Sequence, residues 1–70
     1  MSNKTIEQVR DEFILLVDLA GNDAKAAEII KNNACGFGPD RSMICRIRNG
    51  QGKPSMIGMA TALLRMGLNP

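Results

Sequence analysis

A compact all-α domain of four to five helices is the fold class this sequence predicts, and three observations predict it. Apolar residues recur at helical spacing in separate segments, with capping residues, glycine and proline between them. No segment alternates with the two-residue period of a strand over a useful length. The length, 70 residues, suffices for one domain, residues 1–70, with a marginal core.

The first helix is expected over residues 6–20. Thr5 and Gln8 have the spacing of a capping box. Ile6, Val9, Phe13, Leu16, Val17 and Ala20 then form an apolar stripe, which Gly21 ends. Leu15 and Leu19 widen that stripe, so burial on more than one side is expected. Asn22 and Asp23 are both good caps for a second helix over 24–32. Residues 33–40, NACGFGPD, are a breaker cluster. Asp40 caps a third helix over 41–48, with Ile44 and Ile47 inward and Met43 beside them. Gly50 and Gly52 end it. Pro54 and Ser55 start a fourth helix, with Ser55 the expected cap; it is rich in Met, Ala and Leu and ends at Gly67, with Pro70 ending the chain.

Composition narrows the function. Aromatics are 3% of the chain, too few to stack single-stranded bases. There is no histidine, and two cysteines alone cannot complete a four-ligand zinc site, so no metal or cofactor is expected. Cys35 and Cys45 read as small apolar residues, and with no signal peptide before them a reduced cytoplasmic setting is expected. The longest apolar run, Phe13 to Val17, cannot span a membrane. Glu7, Asp11, Glu12 and Asp18 share a helix with no histidine or pocket-forming length nearby, so no catalytic residues and no enzyme activity are expected. Gly36 and Gly38 lack the Lys-Ser/Thr and the preceding strand of a phosphate loop, so they mark a turn.

The net charge of +2 conceals an asymmetry. Residues 1–39 carry four basic and six acidic side chains, whereas residues 40–70 carry five basic and one acidic. The third helix turns Arg41, Ser42, Cys45, Arg46, Arg48 and Asn49 outward. Arginine reads guanine through paired hydrogen bonds in the major groove. Arg41, Ser42 and Arg46 occupy positions that a helix entering by its N-terminus offers to base edges. Arg48 and Lys53 lie near the far end, within reach of the backbone, and glycines at 50 and 52 let the main chain approach a phosphate. The same three arginines are also compatible with a plain solvated face.

The run SMICRIRNGQGKPSMIGMATALLRMG resembles the second half of the helix-turn-helix domain of the phage Cro and repressor family. The match is carried by inward Ile44, polar Cys45 and Arg46, inward Ile47, then Arg48, Asn49 and Gly50, and by Lys53, Pro54 and Ser55 before an Ala- and Leu-rich helix. DAKAAEII resembles the first motif helix, with Ala27 as its small inward residue. Phage activators with this motif are similar in the same half. The family joins its two motif helices by a tight turn. Here either the second helix is longer or the turn has become a loop.

The resemblance implies a lambda-repressor-like fold and a transcriptional regulator of phage or prophage type, acting in a bacterial host. Arg41, Ser42 and Arg46 would face bases of a double-stranded operator, with Arg48, Asn49 and Lys53 near its backbone. Leu63, Met66 and Leu68 are candidate homodimer contacts, since a two-fold dimer presents two recognition helices to two half-sites. The competing expectation is a protein-binding module, such as a phage inhibitor of a host enzyme, using the 33–40 connection and the acidic first helix.

Overall fold

The computed structural model describes residues 4–68. These form four α-helices and, among the described residues, no strand: α1 Ile6–Ala20, α2 Asp23–Asn32, α3 Arg41–Arg48 and α4 Pro54–Leu68. Over the described residues the fold is all-α. Pro70, expected to end the chain, lies outside the described residues.

Local chemistry sets the helix ends. The Gln8 N–H donates to Thr5 Oγ1 (3.2 Å) while the Thr5 N–H donates to Gln8 Oε1 (2.9 Å), closing a capping box at α1. Asn22 wins over Asp23 as the cap of α2, its Oδ1 accepting from the Lys25 N–H at 2.8 Å. Asp23 thereby enters the first turn, where a carboxylate favours the positive end of the helix dipole. Beyond Asn32 the chain turns through Cys35 at φ 57, and the Gly36 N–H donates to the Lys31 carbonyl (2.8 Å). That bond closes α2 as a glycine-type cap does, but a cysteine occupies the left-handed position. Residues 33–40 are therefore a loop, and α2 is not lengthened.

Every helix contributes to one core: Phe13 and Val17 from α1, Ala26, Ala27 and Ile30 from α2, Ile44 and Ile47 from α3, and Ile57, Ala60 and Leu64 from α4. α1 packs most extensively on α4, α2 packs on both, and α3 rests on α2 and α1. Burying each large aliphatic side chain contributes about 1.5–3 kcal/mol. Thr61 is the buried polar residue, and its hydroxyl donates to the Ile57 carbonyl at 2.7 Å. At the surface Glu12 pairs with Lys4 (2.5 Å) and with Arg65, joining α1 to α4. Exposed pairs of this kind contribute about 0–1 kcal/mol.

Three sequence expectations are corrected. Leu15 and Leu19 are 61% and 68% exposed, because α1 turns Phe13 and Val17 to the core and no other described element covers its opposite side. Ser55 lies inside α4 and does not cap it. The helix begins at Pro54, whose missing N–H suits a first turn, and the Lys53 carbonyl accepts from the Ile57 N–H at 3.0 Å. Gly67 does not end α4, which continues through Leu68. A Cβ on Gly67 would overlap the Ile29 side chain and come within 2.8 Å of Asn33 Nδ2, so this glycine lets α4 lie close against α2.

The two α4 glycines should therefore respond oppositely to alanine in urea unfolding. Gly67→Ala is expected to destabilise by about 1–2 kcal/mol through overpacking. Gly58→Ala, whose Cβ meets nothing within 4 Å, should stabilise by about 1 kcal/mol through helix propensity. Cys35→Gly should stabilise by about 0.5–1 kcal/mol by relieving the left-handed conformation. An unchanged midpoint would show that the αL position carries no strain.

Candidate nucleic-acid interface

The surface built around α3 begins with its cap. Asp40 Oδ1 accepts from the Met43 N–H at 3.0 Å, starting an eight-residue helix. Ile44 and Ile47 are wholly buried and Met43 is half-buried. Their spacing leaves the other side of α3 to solvent, and Arg41, Ser42, Cys45, Arg46, Arg48 and Asn49 are all exposed. Ser42 lies three and four residues before Cys45 and Arg46, and Asn49 four and three after them, so the four share a stripe. Arg41 lies toward α2, bordering shallow depressions it shares with Ala24, Glu28 and Lys31 on one side and with Asp23 on the other.

The exit from α3 is a complete Schellman turn. The Gln51 N–H donates to the Arg46 carbonyl (2.9 Å) and the Gly50 N–H to the Ile47 carbonyl (3.1 Å), with Gly50 at φ 89. Gly52 faces inward, where a Cβ would press on Ile47, Met56 and Ile57. The two glycines thus answer to helix termination and packing. Lys53 is exposed just before α4. Arg41, Arg46 and Lys53 form no ion pair with another described residue.

Arg48 differs from them. Its Nη2 donates to Asp18 at 2.8 Å and its Nε to Asp23 at 3.0 Å. The Asp18 hydrogen bond raises its pKa above the ordinary arginine value; partial loss of hydration opposes this, and attraction to Asp23 and Asp18 adds to the rise. The group expected to lie near a nucleic-acid backbone is thus already engaged by two carboxylates. Asp18 and Asp23 were not foreseen as partners of Arg48, since they lie 30 and 25 residues away along the chain.

The two cysteines are exposed and free. Asn49 Nδ2 lies 3.9 Å from Cys45 Sγ. Of the residues read as dimer contacts, Met66 is exposed, whereas Leu63 and Leu68 are half-buried against the core. Leu63 also lines an apolar groove between the 33–40 connection and α4, together with Phe37, Pro39, Met43, Met56 and Met59. Phe37, flanked by two glycines, stands 77% exposed at its edge.

Among the described residues no group of three or more His, Cys, Asp or Glu could hold a metal. No helix of the described residues is long and apolar enough to cross a membrane. No family model matches the chain, and no curated protein or solved structure matches it.

Because α3 is too short to persist alone, its cap should matter locally. Asp40→Ala is expected to cost about 1 kcal/mol and to speed amide hydrogen exchange over residues 41–48 more than in α1. Uniform acceleration in all four helices would show that α3 is not a separately opening unit.

Proposed function

We propose that this chain is a sequence-specific double-stranded DNA-binding transcriptional regulator of phage or prophage type. In this reading α2 and α3 are the two helices of a lambda-repressor-like helix-turn-helix, and α3 enters the major groove. The observation that carries it is the outer face of α3. Two arginines without ion-pair partners among the described residues, Arg41 and Arg46, stand there with Ser42 on a helix seated by Ile44 and Ile47. Arg46 and Arg41 would read guanine O6 and N7, and Ser42 a neighbouring base edge. Asn49 and Lys53 would lie along the sugar–phosphate backbone, fixing register without reading sequence. The excess of basic residues over 40–70 supports electrostatic attraction to DNA. The operator would be bound by a homodimer through Leu63, Met66 and Leu68, in the cytoplasm of a bacterial host.

A second reading is a protein-binding module, such as a phage inhibitor of a host enzyme. The groove beside α4 and the exposed Phe37 favour it, since exposed aromatic and Met-rich surfaces commonly serve partner binding.

In vitro selection from random duplex DNA tests the first reading, and a palindromic consensus is the expected result. On the selected site Arg46→Ala should cost about 1–3 kcal/mol and relax one base preference. Equal binding by wild type, Arg41→Ala and Arg46→Ala removes the proposed mechanism. If a low-salt gel shift shows no salt-dependent retention of random duplex, the protein-binding reading takes its place.

A further inference from the structure

We infer that Arg48 is a positioning residue that sets the roll of α3, rather than a phosphate contact; this rests on the DNA-binding reading above. One planar guanidinium is held by carboxylates from two different elements. Asp18 lies in the last turn of α1, and Asp23 is the first residue of α2. Two donors on a rigid fork fix direction as well as distance. Among the described residues these are also the side-chain hydrogen bonds that join α3 to another helix.

Little else constrains that roll. Ile44 and Ile47, with half-buried Met43 beside them, fix how deeply α3 sits, but a seam confined to residues 43–47 resists rotation about the helix axis less than it resists withdrawal. The eight-residue loop before α3 and the loop after it are weak restraints, and α3 packs on α2 and α1 with little contact to α4. Arg48 stands two turns after Arg41 and on the same side of the helix. Holding one therefore aims the other. The charges agree with this assignment. Two carboxylates already balance this arginine and occupy its Nε and Nη2 donors, so it offers a phosphate little.

The test compares Arg48→Ala, Arg48→Lys and the double variant Asp18→Ala/Asp23→Ala with wild type, on the selected duplex and on random duplex, over a salt series. The ratio of the two affinities is the main readout, because a loss of folded protein lowers both equally and leaves the ratio unchanged. All three variants are expected to lose about five- to tenfold in that ratio, the lower part of what one paired arginine–guanine contact discriminates. The double variant should do so while binding random duplex more tightly, since it has lost two negative charges. Arg48→Ala should keep the wild-type salt slope. Two results overturn the inference: a slope reduced by about one charge with both affinities falling together, or an unchanged ratio. Near wild-type behaviour of Arg48→Lys overturns it as well, because lysine replaces a phosphate contact but not a two-carboxylate fork. Residual dipolar couplings over 41–48 supply a reading without DNA. In Arg48→Ala they should no longer fit the wild-type orientation of α3 relative to α1 and α4, and couplings that still fit overturn the clamp. If wild type shows no sequence preference, the DNA reading alone falls and the couplings still decide the role of Arg48.

Discussion

The burial of Ile44 and Ile47 is the interaction on which the rest of this molecule depends. An eight-residue helix does not persist in water by propensity, because nucleation outweighs what so few hydrogen bonds return. α3 exists because two aliphatic side chains on one stripe enter a core already shaped by Phe13, Val17, Ile30, Ile57 and Leu64. Everything on its outer side is displayed as a consequence. With Ile44 and Ile47 withdrawn, Arg41 and Arg46 would belong to a flexible loop between Asp40 and Lys53, with no fixed spacing to offer a partner.

Around that anchor the chain uses directional contacts at its helix ends. The Thr5–Gln8 box, the Asn22 and Asp40 caps and the Schellman turn at Gly50 each satisfy backbone groups that helix ends leave open. A domain this small gains comparatively little from apolar burial, so contributions of about 1 kcal/mol per cap are a sizeable part of its stability. Charge is arranged on the same principle. Glu12 ties α1 to α4 through Arg65 and also pairs with Lys4 ahead of α1, and Asp18 and Asp23 hold Arg48 where three helices meet. The acidic side chains of the first half therefore do more than balance the basic second half: two of them occupy the donors of one arginine of α3.

The molecule carries two surfaces of different character. The outer stripe of α3 is polar and cationic, suited to a hydrogen-bonding, negatively charged partner. The groove beside α4 is apolar and methionine-lined, with Phe37 at its edge. The loop of residues 33–40 lies between them, contributing Pro39 and Phe37 to the groove and the Asp40 cap to α3. A connection of this length thus supplies a groove wall while holding the start of α3 in place.

Much of the architecture was legible in the residue order. The bounds of α1 and α3, the caps Thr5 and Asp40, the breaker at 33–40 and the inward Ile44/Ile47 pair are local, depending on residues three or four apart, and sequence alone determines them. It also marked the outward set Arg41, Ser42, Cys45, Arg46, Arg48 and Asn49, because a helix with its inward residues known has its outward ones known too. What sequence left open depends on residues far apart. Leu15 and Leu19 match the apolar period of α1, but which side is covered depends on where α4 lies. Gly67 looks like a terminator and is a contact point, because only packing brings Ile29 and Asn33 of another element against it. Arg48 and Arg41 are alike by charge and by side of the helix, and only the tertiary structure separates them. It brings the end of α1 and the start of α2 to one of the two and leaves the other facing solvent.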